Sequence, residues 1–226
     1  MGDLVERWVA QGREYTKYRD KFVKRSLSPG EYNERISNPD HYSTVNMTRL
    51  KNEAECIEFI KMNTTIPVPE VVAAYERDGS FFLETKLIDG VLMRDLKPEE
   101  QLEVMPQIRK CLQMLRGLRS ARLGGPSGII FPPQAIVSRP DGPKSWSQAN
   151  ISTSDLVFCH RDLSRSNIFF HPTTLRLVAI GDWEYGGFYP ESLELPFFER
   201  SEKSGVQVKK ISGIKEIKEF WEKAAC

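Results

Sequence analysis

The sequence predicts an α+β fold of two lobes: a small mixed amino-terminal lobe built on an antiparallel sheet, residues 1–88, and a mainly helical carboxyl-terminal lobe, residues 89–226. Three observations predict it. The first hundred residues mix short strand-like runs with one strongly periodic helical segment. Lys86 to Gly90 reads as a hinge. Beyond it, a helical stripe precedes three short apolar runs, with one polar, acid-bearing turn between the first two and another after the third. A chain of 226 residues can bury a core in this arrangement.

In chain order, Lys21-Phe22-Val23-Lys24 is a strand candidate, and the stretch before it is short for two full strands. Ser28 to Asn46, rich in Pro, Gly, Asn and Ser, is expected to be a long loop. Leu50, Ala54, Ile57 and Ile60 recur at helical spacing and predict a helix over Arg49 to Met62, ended by Pro67 and Pro69. Val71 to Tyr75 and Phe81 to Thr85 read as antiparallel strands about an Asp78-Gly79 turn. Leu102, Met105, Ile108, Leu112 and Leu115 predict a core-facing helix that Pro106 either kinks or starts. Gly124 to Pro143 is expected to be a surface loop. Leu156 to Cys159, Ile168 to Phe170 and Leu175 to Ile180 are strand candidates. Ile211, Ile214, Ile217 and Trp221 mark a short amphipathic helix, packed on the body of the domain or offered to a partner.

Composition narrows the function. Hydrophobic content of 40% and charged content of 28% describe an ordinary globular protein. A net charge of +1 supplies no attraction for nucleic acid or an anionic membrane, so neither is an expected partner. No apolar run approaches the roughly 18 residues that read as a bilayer span. Met1 to Glu6 lacks the apolar core of a signal peptide, and Glu6 breaks the myristoylation pattern, so the expected compartment is the cytoplasm. Cys56, Cys111, Cys159 and Cys226 are scattered without a C-x-x-C pair, which disfavours zinc and a disulfide framework. The sequons at Asn46, Asn63 and Asn150 read as chance matches without a secretory signal.

The chemistry concentrates in His160-Arg161-Asp162-Leu163-Ser164-Arg165-Ser166-Asn167 and Gly181-Asp182-Trp183-Glu184. The first run fits H-R-D-L-x-x-x-N, a catalytic loop of phosphoryl transfer, and Asp182 stands where a second, metal-binding acid belongs. Two acids and an amide so spaced suit the alignment of a hydroxyl with the terminal phosphate of a magnesium–nucleotide. The bland alternative is a polar turn whose Asp162 and Asn167 bond their own backbone. The strand candidates on both sides favour the functional reading.

With Asn63-Thr64-Thr65-Ile66-Pro67-Val68-Pro69, these motifs resemble the aminoglycoside phosphotransferase-like family of the protein kinase-like fold, from about Lys21 to about Arg200. Phe188 to Ser192 with Glu194 to Phe197 resembles its short fungal branch. The resemblance implies a bilobal small-molecule kinase using magnesium with ATP or GTP. The implied partners are a nucleotide triphosphate and a small hydroxyl-bearing acceptor. By position, Asp162 matches the catalytic acid that orients the hydroxyl, and His160 the structural histidine of the catalytic loop. Asn167 and Asp182 match the magnesium ligands, oxygen donors such as that ion prefers. Lys24 resembles the lysine on the inner phosphates, and Glu53 the helix glutamate that pairs with it; Lys17, Lys21, Glu55 and Glu58 compete for these roles. Base selection is expected along the hinge backbone from Thr85 to Leu87.

Three departures qualify the match. No G-x-G-x-x-G precedes Lys24, and Gly12 stands alone, so the phosphate-covering loop is short, unorthodox or missing. Arg161 is the residue that protein kinases use to hold a phosphorylated segment, but no A-P-E follows Asp182, which disfavours a protein Ser/Thr kinase. The region after Asp182 leaves little room for the helices of antibiotic-binding members. Glu184, Glu191, Glu194 and Glu199 are read either as an acidic wall for an amine-bearing substrate or as solvated and ion-paired acids. The alternative in another class is a catalytically silent kinase-like binding or scaffold module.

Overall fold

The computed structural model of the chain describes residues 3–32, 38–131 and 156–199. Its first strand, β1 (Leu4–Ala10), turns through Gln11 and Gly12 into β2 (Arg13–Tyr18). Both turn residues have positive φ, 52° and 76°, as a two-residue turn matching the strand twist requires. So tight a turn lets two strands fit before β3 (Lys21–Ser26), and the expectation that this stretch is too short for them is overturned.

The stretch expected to be a loop up to Asn46 is overturned as well. The helix α1 (Pro39–Asn63) starts ten residues before Arg49. The Asn38 side chain accepts the His41 amide, and Pro39 occupies the first helical position, where no amide partner is needed. Polar residues hid this helix because they point inward. Ser43 Oγ donates to the Leu27 carbonyl at 2.8 Å and Asn46 Nδ2 to the Tyr42 carbonyl at 3.1 Å. Strands β4 (Val71–Arg77) and β5 (Ser80–Lys86) form the expected hairpin, with Asp78 and Gly79 both at positive φ. The sheet is antiparallel throughout, in the order β1-β2-β3-β5-β4.

Past Lys86, β6 (Val91–Leu92), α2 (Pro98–Gly117), β7 (Arg119–Ser120), β8 (Leu156–Cys159), β9 (Ile168–Phe170), β10 (Leu177–Ile180) and β11 (Gly187–Pro190) follow. They form two three-stranded sheets, β10-β9-β6 and β11-β8-β7. Pro106 lies inside α2 and does not start it. Leu102, expected in the core, is 67% exposed; the buried face is Val104, Met105, Ile108, Cys111, Leu112 and Leu115. Leu102 lies off that face, so its apolar character does not bury it.

One continuous core joins Leu50, Ile57 and Ile60 of α1 to Ile108 and Leu115 of α2 and to Phe158, Phe170, Ile180 and Trp183. It holds the polar segment between β10 and β11 against α1. No helix among the described residues is long and apolar enough to cross a membrane. The amphipathic helix expected at Ile211 to Trp221, the loop beyond Phe131, Cys226 and the Asn150 sequon lie outside the described residues.

Candidate active site

Three distant segments meet at one lysine. Lys24 Nζ, on β3, donates at 2.7 Å to Glu53 Oε1 on α1 and at 2.7 Å to Asp182 Oδ1 after β10. Burial works against the Lys24 charge, but the fields of Asp182, Glu53 and Glu184 outweigh it and hold the ammonium well above its ordinary range. Burial pushes the Glu53 carboxyl up, while Lys24 holds Asp182 down in spite of burial. Lys21 is committed elsewhere, to Glu84 across the sheet at 2.6 Å.

Asp182 is left-handed, φ 63° and ψ 50°, an uncommon conformation for a residue with a side chain. Its neighbour Trp183 anchors it. The indole is fully buried, donates to the Ile180 carbonyl at 2.7 Å and lies 4.4 Å from the His160 ring.

The loop between β8 and β9 is held by hydrogen bonds among the described residues. His160 Nδ1 accepts the Asp162 amide at 3.2 Å, so Nε2 carries the hydrogen and donates to the Gly181 carbonyl at 2.9 Å. Burial depresses the imidazole to about 4 and keeps it neutral. His160 is thus a brace between the two motif segments. Asn167 Nδ2 donates to the Asp162 carbonyl at 2.8 Å. Asp162 Oδ1 is buried without a hydrogen-bond partner. Burial, then the negative fields of Asp182 and Glu184, push the Asp162 carboxyl up to about 8.

The acids after Asp182 do not form a free wall. Glu184 is in ion contact with Arg13 and Arg49, Glu191 with Arg116, and Glu199 with Arg109. Glu194 is half-buried and accepts the backbone amides of His160 and Arg161. Arg161 spends its guanidinium on the Phe131 carbonyl, at 2.6 Å, and lies over the Tyr189 ring.

Thr85 lies near the end of β5 and Leu87 just after it. Thr85 pairs with Phe22 and Val71 in the sheet, and the Leu87 amide donates to the Asp20 carbonyl at 2.9 Å. Sequence reasoning missed Arg13, Asn46, Arg49 and Asn52. Asn52 Nδ2 donates to the carbonyls of Glu184 and Gly186, both at 3.0 Å. The signal was the spacing of Asn46, Arg49, Asn52, Glu53 and Cys56, one face of a helix.

No family model matches the chain, and no curated protein matches it in sequence. Solved structures match it in fold. An aminoglycoside phosphotransferase from Streptomyces rimosus superimposes with a TM-score of 0.57 at 14% identity, over 83% of this chain and 73% of that one. An aminoglycoside-3'-phosphotransferase of type VIII gives 0.53 at 17%, over 84% and 74%. A thermostable mutant of a further aminoglycoside phosphotransferase, in a ternary complex with AMP-PNP and hygromycin B, gives 0.55 at 13%, over 84% and 69%. At such identities the likeness is one of fold: the chain has the kinase-like fold of small-molecule phosphotransferases. Nothing in it supports the fungal branch.

Proposed function

We propose that the protein is a magnesium-dependent phosphotransferase that moves the terminal phosphate of ATP or GTP onto a hydroxyl of a small-molecule acceptor, in the cytoplasm. The observation that carries this reading is Lys24 holding both Glu53 and Asp182 beside the loop of Asp162 and Asn167. In it, residues 1–88 form the nucleotide lobe and 89–226 the catalytic lobe. Lys24 holds the inner phosphates, Glu53 positions Lys24, and the Thr85–Leu87 backbone flanks the base.

The residues present fit a divalent cation. Asp182 and Asn167 offer oxygen donors of the kind magnesium takes, beside the orphaned Asp162 Oδ1. Magnesium held there would neutralise charge on the transferring phosphate. In its ionised form Asp162 accepts a hydrogen bond from the acceptor hydroxyl and takes its proton as the new O–P bond forms. The bond from the terminal phosphorus to the bridging oxygen breaks, and the nucleoside diphosphate leaves with that oxygen. Positioning supplies most of the rate. Because Glu184, Glu191, Glu194 and Glu199 are committed, the reading does not extend to a polycationic acceptor.

The test is a thermal melt with ATP or GTP, with and without magnesium, followed by transfer assays on hydroxyl acceptors. A ligand at a hundred times its Kd adds about 2.7 kcal/mol, which moves the midpoint by a few degrees. Asp182→Asn abolishes the magnesium-dependent shift; Asp162→Asn keeps it and lowers turnover. The two-residue turn at Gln11-Gly12 favours a second reading, a silent binding module, which shows no magnesium-dependent shift with either nucleotide.

A further inference from the structure

We propose that Arg13 covers the nucleotide's phosphates in place of a glycine-rich loop, and that Glu184 holds its guanidinium in reserve until a triphosphate exchanges for it. The proposal rests on the phosphotransferase reading above and assigns a residue that the motif match does not.

The hairpin supplies the first argument. With only Gln11 and Gly12 between β1 and β2, no run of free backbone amides can wrap a phosphate. Gly12 itself is pinned, since a Cβ there would fall 2.5 Å from Asn46 Nδ2 and 2.7 Å from the Tyr32 hydroxyl. The hairpin tip is therefore held down on α1, and any phosphate contact must come from a side chain.

Register supplies the second. Tyr15 lies opposite Lys24 and Arg13 opposite Ser26. Alternation puts Arg13, Tyr15 and Lys24 on one face of the sheet. Arg13 is thus one step along the face from the lysine assigned to the inner phosphates.

The surroundings supply the third. Arg13 is 1% exposed; Nε donates to Asn46 Oδ1 at 3.1 Å, and Nη2 is ion-paired with Glu184. A guanidinium held by a carboxylate can exchange it for a phosphate, which offers the same fork of anionic oxygens. The Arg13 charge also feels Asp182 and Glu53, which places it within Coulomb reach of the Lys24 cluster.

Exchange requires that Glu184 not be stranded, because a buried carboxylate stripped of its partner is strongly destabilising. Arg49 removes that obstacle. It is in ion contact with the other Glu184 oxygen, and its guanidinium lies 4.5 Å from the centre of the Tyr185 ring. Glu184 keeps one cation when Arg13 turns away. Around the cluster, Arg13, Lys24 and Arg49 face Glu53, Asp182 and Glu184, and the charges balance.

Calorimetric titration of the full chain with Mg–ATP and with Mg–GTP tests this, using the parent, Arg13→Met, Arg13→Lys and Glu184→Gln. Arg13→Met is expected to weaken triphosphate binding about ten- to a hundredfold, the range of one charge-assisted bond. Arg13→Lys recovers part of that loss. Glu184→Gln, which loosens the reserve position, tightens binding a few-fold in the parent but not in Arg13→Met; the lost Glu184 charge acting on the nucleotide directly would tighten both. If Arg13→Met binds within twofold of the parent, or Arg13→Lys binds no better than Arg13→Met, Arg13 does not touch phosphate. Should Arg13→Met fail to fold, Glu184→Gln is compared in the parent and in Arg13→Lys: a smaller tightening in Arg13→Lys supports the exchange, and an equal tightening or none overturns it. If the parent binds neither nucleotide, the phosphotransferase reading falls too, an outcome distinct from normal binding by Arg13→Met.

Discussion

The two sides of the site are held by different forces. Around Asp182, on the α1 and sheet side, the partners are charged: Lys24 with Glu53 and Asp182, Arg13 and Arg49 with Glu184. Around Asp162, the hydrogen bonds end on backbone groups: His160 on the Gly181 carbonyl, Asn167 on the Asp162 carbonyl, and the Glu194 carboxyl on the amides of His160 and Arg161. Ion pairs can be traded for a charged ligand with little change in what is desolvated. A loop held by buried hydrogen bonds has no such alternative partners and stays put. The charged side is built to change hands and the other side to aim.

The largest effect expected from this contrast is on the charged side. Asp182→Asn should abolish phosphate transfer while the fold survives, because Lys24 keeps Glu53; measurable transfer at the parent's rate would remove Asp182 from the mechanism. Next comes the residue that ties the two sides together. Trp183→Ala removes a fully buried indole and should cost about 3–5 kcal/mol, read by urea denaturation. A loss below about 1 kcal/mol would mean that Trp183 does not anchor the segment.

Glu194 sharpens the comparison through pH. Burial pushes its carboxyl from 4.5 up to about 7, so between those values the folded protein holds a proton that the unfolded chain has released. Its contribution is complete below about 4.5 and is lost as pH rises through about 7, at up to about 1.4 kcal/mol per unit. Glu194→Gln should lose that share of the slope in denaturation series at pH 5, 6 and 7; an unchanged slope would place the titration elsewhere. The smallest effect belongs to the helix start. Asn38→Ala should cost about 1 kcal/mol and leave nucleotide binding alone, since it removes only the cap of α1.

Much of the second side was legible because its motif is local. His160, Asp162 and Asn167 lie within one turn-forming run, and apolar runs on both sides predicted the strands that brace it. The first side was legible only in part. Lys24 and Glu53 were named, but Lys17, Lys21, Glu55 and Glu58 were equal candidates by residue type. Their separation is a matter of register: Lys21 meets Glu84, and Lys24 alone reaches α1. The start of α1 was missed because Ser43 and Asn46 face inward to satisfy backbone and side-chain partners, which breaks the apolar period.

By itself the chain determined its α+β class, the order of its longer strands and helices from residue 49 to residue 180, though not the short β6, β7 and β11, and the polar run from His160 to Asn167. These depend on patterns of a few residues to a dozen, where periodicity and turn chemistry speak directly. Tertiary structure decided which charges meet. Arg13 and Glu184 are separated by 171 positions and Lys24 and Asp182 by 158, and no local rule pairs them. The two-residue hairpin, the inward polar face of α1 and the left-handed Asp182 bring them together, and burial then decides that each charge must find its opposite.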